Sequence, residues 1–393
     1  RTLYVGKHHG TDNPYNWGFD HYRGLRDGAA NYFNPGLQRE GEPKPAQKRY
    51  GERIFAFNDS IVQPFTPSKD YYSTDTWTDW AIELLDRYKE EEKPFALYVS
   101  YQAPHDPLQA PKETIKKYEG VYEKGYEAIA NARYERQREM GLLDERYPRS
   151  EPTYPEWGSL SDSAKADQVR RMQVYAAMID RMDQNIGRLI DKIKAIDEWE
   201  NTLFMFASDN GASSEVVSIG DGPIGSMTRW SSLKEDWANV ANTPFRYYKN
   251  YSFEGGTNTP FIAHWPKVIQ PGKITHTQAH FIDIMPTLLD ITGAPYPKQY
   301  KGEVVHSVEG LSLLPIFKGE DINRSEPLYF DWQDGSAILT HQWKLVREGK
   351  GWELYDMEND KTETNNLAEK NHEVVEKLKR QWNNWAKRVG IKE

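Results

Sequence analysis

The stretch TLFMFASDNGA, residues 202–212, ends an apolar run on Asp209, Asn210 and Gly211. The acid and the amide offer hard oxygen ligands. Side by side they suit Ca²⁺ or Mg²⁺ better than zinc, which favours imidazole and thiolate. The same triplet also suits the turn by which a chain leaves a strand. Cations and imidazoles gather at two other places. The opening run RTLYVG leads into Lys7, His8 and His9 before Gly10, which reads as a functional turn or as a Gly-flanked surface loop. His105 stands between Pro104 and Asp106-Pro107. Prolines restrict the backbone there, as a positioned acid or base requires, although loop histidines are also commonly structural. Arg246 and Lys249 supply the local positive charge that an anionic substrate needs in an acidic chain, or else form an ordinary solvated surface.

These residues need elements to hold them. The run before Asp209 reads as a strand buried on both faces of a parallel sheet, and open α/β sheets bind ligands just past the carboxyl ends of their strands. PFALYVS, residues 94–100, reads as a second buried strand that delivers His105, and residues 1–6 as a further short strand. Trp77, Trp80, Ala81, Leu84, Leu85 and Tyr88 keep helical spacing behind a capping Asp75. Met172, Tyr175, Ile179, Met182, Ile186, Leu189 and Ile193 recur every third or fourth residue, giving a long amphipathic helix that feeds the central strand. Residues 17–33 and 36–50 read as irregular, and 112–160 as an insertion with helical character from 127 to 140. A short strand at 260–265 precedes a helix capped by Asp283, with Pro286 in its first turn and Gly293 at its end.

The tail changes character. Short strands at 327–332, 337–340, 343–347 and 352–356 form an antiparallel meander. A helix with Val375, Leu378, Trp382, Trp385 and Val389 on one face should pack against it. The expected fold is therefore α/β, with a mostly parallel central sheet flanked by helices over residues 1–319. A C-terminal subdomain of small antiparallel sheet plus helix covers 320–393.

Composition removes several classes of function. The 50 Lys and Arg residues against 59 Asp and Glu give a net charge of −9, which argues against a general nucleic-acid partner. No apolar run reaches the length of a membrane span. With no cysteine, the chain has neither a disulfide, a thiol nucleophile nor a thiolate metal ligand.

Taken together, GKHHG at 6–10, YQAPHDPLQAP at 101–111, ASDNGA at 207–212, WANVANTPFRYYK at 237–249, FEGGTNTPFIAHWP at 253–266 and DIMPTLLDITG at 283–293 resemble the type I sulfatases of the alkaline phosphatase superfamily, in their bacterial arylsulfatase branch. The resemblance implies an alkaline phosphatase-like sheet and a sulfuric ester hydrolase. It implies that Lys7 and His9 contact the nucleophile and help to move its proton. His105 would lie beside the sulfate and protonate the departing oxygen. Asp209 and Asn210 would be two of the four protein ligands of a calcium ion, for which magnesium could stand in, and Lys249 would grip the sulfate. The substrate it implies is an aryl sulfate or a sulfated carbohydrate, and the location periplasmic or secreted.

The chain departs from that pattern in one respect. Sulfatases use a formylglycine made from the Cys or Ser of a Cys/Ser-x-Pro-x-Arg motif, and this chain contains none. The family's opening strand with its paired aspartates is missing as well. Both belong upstream of the Gly-Lys-x-His turn, so the expectation is an N-terminal segment lost from this sequence and a chain inactive without it. A phosphonate or phosphate ester hydrolase of the same superfamily, and a non-catalytic sulfate-ester-binding remnant, are the competing expectations.

Overall fold

Leu3, Tyr4 and Val5 are all buried, so strand β1 (Thr2–Gly6) has neighbours on both faces. A computed structural model describes residues 1–91, 93–349 and 351–391. The chain divides into one unit of Arg1–Asn131, Thr153–Trp199 and Ser213–Ala241 and another of Ala132–Pro152, Glu200–Ala212 and Asn242–Glu393.

In the first unit, β1 pairs in parallel with β2 (His21–Leu25) and with β5 (Ala96–Ser100). Strands β3 (Phe55–Phe57) and β4 (Ser60–Val62) continue the sheet antiparallel, in the order β4-β3-β2-β1-β5. The central sheet is thus mixed. β5 is its edge, and Tyr98 there is 55% exposed, which corrects the expectation of a fully buried strand. Helix α1 (Ser73–Tyr88) buries Trp77, Ala81, Leu84 and Leu85 at one-turn spacing. Asp75 is not its cap: Tyr72 holds that place, and both Asp75 oxygens accept from Arg181 at 2.8 and 2.6 Å. Helix α2 (Tyr126–Glu139) buries Tyr126 in its first turn, against Trp157 and Trp237. Arg181 lies on α3 (Asp162–Ala195), whose buried stripe includes Met172, Met182, Leu189 and Ile193, while Ile179 is exposed. Further pairs, Arg188 with Asp79 and Lys192 with Asp86, run in the same order along both helices, so α1 and α3 lie parallel. Helix α4 (Glu235–Asn242) buries Trp237, whose indole N–H donates to Gln168 O at 2.8 Å.

In the second unit, β6 (Phe204–Ala207) is a strand as expected, but its partner β7 (Phe261–His264) is antiparallel. None of its residues is fully buried. An apolar composition reports what a strand could bury. It does not report how many neighbours the strand has within its unit, and here the ribbon leaves Phe261 39% and Ile262 59% exposed. Helix α5 (Ile284–Thr292) ends at Gly293, in the left-handed region at φ 65°. Asp283 holds its N-cap position as expected, without a side-chain bond into the helix: its carboxylate closes a capping box on the preceding turn by accepting from His280 N–H at 2.7 Å, and also accepts from the Leu311 backbone at 2.8 Å and from Arg324 at 2.5 Å.

The tail follows the predicted pattern closely. Strands β8 (Leu328–Trp332), β9 (Gly335–Leu339), β10 (Trp343–Glu348) and β11 (Gly351–Asp356) form a four-stranded antiparallel meander. Alternation sends Ile338, Leu345 and Leu354 to one face, where Leu378, Trp382 and Ala386 of α6 (His372–Val389) cover them. Val389 stays 46% exposed. The other face packs Ala337, Val346 and Tyr355 against Phe253.

Lys344 of β10 is fully buried between two buried acids, its Nζ 2.6 Å from Glu254 and 2.9 Å from Glu363. Burial pushes the Glu363 carboxyl up to about 7, against the pull of Lys344. The folded state therefore holds a proton that the unfolded chain releases near 4.5, so this stabilisation is complete below pH 4.5 and lost as pH rises through about 7. Glu363→Gln should lose less stability than wild type between pH 5 and pH 8, measured as urea midpoints; parallel curves would contradict the assignment. Lys344→Met, which strands two buried carboxylates, should cost about 3–5 kcal/mol at pH 8.

Candidate active site

Strands β1 and β5 run parallel with Gly6 opposite Ser100, so the turns that follow them leave the same end of the sheet. The Lys7–Gly10 turn is tied down through its backbone. Lys7 N–H donates to Ser100 O at 2.8 Å, His8 N–H to Leu25 O at 2.8 Å and Gly10 N–H to Arg26 O at 3.1 Å. His9 adopts φ 57° and is exposed. Its Nε2 stands so near Gly28 that a Cβ there would lie 2.4 Å away. His8, by contrast, is a packing residue: its ring meets Trp17 and Tyr4 edge-on at 5.0 and 6.1 Å. Burial and the Arg26 charge hold it below the usual imidazole range, and its buried Nε2 makes no hydrogen bond.

His105 is positioned by both backbone and side chain. Its N–H donates to Gln102 O at 2.9 Å, and the Tyr32 hydroxyl donates to its carbonyl at 2.8 Å. The peptide bonds before Pro104 and Pro107 are cis. Ring atom Nδ1 lies 2.8 Å from the Asp106 carbonyl oxygen. His105, Asp106 and Glu215 bring ligand-capable atoms within 4.8 Å of one another; among the described residues, no such group of three includes Asp209.

The second unit holds Asp209, Asn210 and Lys249. Gly211 N–H donates to Gly256 O at 3.1 Å, and Lys249 N–H donates to Ala212 O at 3.0 Å. Asn242 bridges the two segments, accepting from Ala212 N–H at 3.1 Å and donating to Tyr247 O at 3.2 Å. Asp209 is exposed. Asn210 Nδ2 donates to Gly211 O at 2.9 Å, which orients the amide and leaves Oδ1 as an acceptor. These are two hard oxygens of the kind calcium takes, short of the six to eight it needs. Lys249 makes no ion pair within its unit among the described residues. Arg246 is a structural residue instead, bonded to Glu353 at 2.8 Å and to the Tyr355 hydroxyl at 2.7 Å, with its guanidinium 4.4 Å over the Phe253 ring. A cavity of about 650 Å³ in this unit, lined by His280, Glu309, Arg324, Tyr329, Trp385 and Arg388, includes none of the predicted residues.

Lys7, His9 and His105 thus stand in turns that follow strands of one unit, and Asp209 and Asn210 follow a strand of the other, where Lys249 is tied by its backbone to Ala212. The residues that sequence reasoning missed are Asp106 and Gly28. Asp106 sits in the same Pro-bounded turn as His105, and that adjacency was the available signal.

Cations, imidazoles and hard oxygen donors held in turns of an α/β protein are groups suited to anionic esters. The chain belongs to the sulfatase family: residues 1–294 match the family, and residues 245–388 match the C-terminal region of N-sulphoglucosamine sulphohydrolase. It is 30% identical to an uncharacterised sulfatase of Schizosaccharomyces pombe, over 96% of this chain and 72% of that one. It is likewise 30% identical to an arylsulfatase of Klebsiella aerogenes, over 80% of this chain and 70% of the relative. Among solved structures, Ps i-CgsB superposes with a TM-score of 0.66 at 23% identity, covering 98% of this chain and 71% of that one. At that identity the likeness shows the fold.

The backbone cluster around Asp209 makes a direct prediction. A Cβ on Gly211 would fall 1.8 Å from Gly255 O, whereas Gly187 on α3 has nothing within 4 Å. Gly211→Ala should destabilise the protein by about 1–3 kcal/mol through overpacking, while Gly187→Ala should stabilise it by about 0.5–1 kcal/mol. Denaturation midpoints that move in the same direction would contradict the close approach.

Proposed function

We propose that this chain carries the substrate-gripping and proton-handling residues of a formylglycine- and calcium-dependent sulfuric ester hydrolase of arylsulfatase type, acting on an aryl sulfate or a sulfated carbohydrate. The observation that carries this reading is the placement of the family's charged residues: each stands in a turn pinned by backbone hydrogen bonds. Lys249 would hold a sulfate oxygen, Lys7 and His9 would steady the nucleophile and shift its proton, and His105 would protonate the departing oxygen. Charge develops on the sulfuryl oxygens and the leaving oxygen as the ester breaks, so fixed cations act chiefly on the transition state.

Asp209 and the Asn210 amide would hold Ca²⁺, or Mg²⁺, together with further carboxylates. When bound, the ion supplies Lewis-acid polarisation of the sulfate, and the formylglycine supplies the attacking oxygen. Gly28, lacking a Cβ, lets the His9 ring pack against its backbone. The nucleophile motif is not among these residues, so the nucleophile and the remaining metal ligands would come from residues outside this sequence. A periplasmic or secreted location fits the same reading. The sulfated-carbohydrate reading draws support from a solved neighbour bound to its substrate, D-glucosamine-2-N,6-O-disulfate, which matches with a TM-score of 0.63 over 98% of this chain and 79% of its own at 19% identity.

The test is turnover. The 393-residue chain alone should show no multiple turnover of an aryl sulfate, and the same chain with an upstream sulfatase segment restored and matured should turn it over faster than a phosphonate ester. In the restored protein Lys249→Ala should lower kcat by about 10²–10³-fold, while Lys301→Ala, outside every motif, should not. Turnover by the unrestored chain, or preference for the phosphonate, would overturn the reading.

A further inference from the structure

Asp106 is an acid almost without exposure, at 3%, in the turn that carries His105. Its Oδ2 accepts from Trp230 Nε1–H at 3.1 Å and from the Ser232 hydroxyl at 3.0 Å. Trp230 is itself fully buried, and the strand residue between them, Ser231, accepts from Leu108 N–H at 2.8 Å. An indole nitrogen only donates, so this side of the carboxylate is committed as an acceptor. The other oxygen, Oδ1, is buried and receives no hydrogen bond. It lies 3.1 Å from His105 Nδ1, which is also 2.8 Å from the Asp106 carbonyl oxygen.

We propose that Asp106 is the positioning residue for His105: flanked by two acceptors, Nδ1 keeps its proton, and the buried carboxylate oxygen stabilises the imidazolium, so that Nε2 is the nitrogen that delivers a proton. This rests on the reading of His105 as proton donor to the departing oxygen. The proton leaves Nε2 for the oxygen that takes up the electron pair of the breaking S–O bond, and the imidazole remains neutral with Nδ1–H in place. A buried carboxylate oxygen with no donor is unfavourable unless a cation faces it, and His105 is the group in reach. Charged groups near the ring among the described residues include Glu215, within 4.8 Å of the His105 and Asp106 ligand atoms, and Lys48. Lys48 is paired to Glu215 at 3.3 Å and lies 5.5 Å over the Trp230 ring. Glu215 and Lys48 largely offset each other, so the buried Asp106 carboxylate carries most of the effect.

Long-range ¹H–¹⁵N spectra of the chain labelled at histidine test the pair directly, with His105→Gln identifying the signal. The neutral form of His105 in the wild-type chain should be the Nδ1–H tautomer, and a neutral Nε2–H tautomer would overturn the proposal without any variant having to fold. Asp106→Asn should lower the midpoint at which His105 takes up its second proton by about one pH unit, and Glu215→Gln by less. An unchanged midpoint in folded Asp106→Asn would also overturn it. In the enzyme with its upstream segment restored, Asp106→Asn should lower kcat by about 10²-fold on an alkyl sulfate, whose leaving oxygen needs the proton. On a nitrophenyl sulfate, which leaves unaided, the loss should be below about 10-fold. Equal losses would contradict proton delivery. A restored wild-type enzyme with no turnover would instead count against the sulfatase reading, while the tautomer still decides the Asp106–His105 pair.

Discussion

Lys344 has no exposure to solvent, and its ammonium group is held by Glu254 and Glu363, both buried as well. Burial raises Glu363 against the pull of Lys344, and the second acid, Glu254, adds to the rise. Such clusters contribute little net stability and resist any change in one member. Their consequence here is positional. Glu254 opens the short helical turn Glu254–Thr257, and its N–H donates to Glu363 at 2.8 Å. The glycines that follow continue the chain of constraints: Gly255 N–H reaches Arg246 O at 2.9 Å, and Gly256 O receives Gly211 N–H. Asp209 and Lys249 are thus set in place by a charge cluster that neither of them touches.

In the first unit the constraint is the parallel pairing of β1 with β5. Because Gly6 and Ser100 end their strands together, the Lys7–Gly10 turn and the His105 turn are delivered side by side without long connections. Aromatic packing then sorts the histidines. His8 lies against Trp17 and Tyr4, where burial disfavours its charged form, His9 is displayed by a left-handed backbone at the next position, and His105 is backed by a buried acid. Three imidazoles of one residue type acquire three environments, and the environment decides which of them can handle a proton.

Much of this was legible from periodicity. The spacing of Trp77, Ala81, Leu84 and Leu85, and of Met172, Met182, Leu189 and Ile193, identified the two long helices, and alternation identified the C-terminal meander. Strands β2 to β4 were not legible, because runs as short as Phe55–Phe57 carry too few residues to show a period and β2 includes His21 and Arg23. The half-exposure of β6 was hidden for a different reason: composition describes a strand's faces, not its neighbours. Of the candidate site, motif and turn chemistry single out Lys7, His9, His105, Asp209 and Lys249, all exposed or half-buried. Asp106 and Glu363 were missed because an acid in a sequence reads as solvated, and only the packing around Trp230 or Lys344 reveals otherwise. Arg246 reads as site charge for the converse reason, its partners Glu353 and Tyr355 lying more than a hundred residues along the chain.

Under the proposed function, a hard cation would sit at Asp209 and Asn210. Calcium affinity follows the charge and number of oxygen ligands, so calorimetric titration of Ca²⁺ measures that claim without any assay of turnover. The chain carrying a restored upstream segment with two further carboxylates should bind Ca²⁺ at least about 10²-fold more tightly than the unrestored chain, and Asp209→Ala should remove most of that gain. Equal affinity of the two proteins, or a gain that survives Asp209→Ala, would contradict the account.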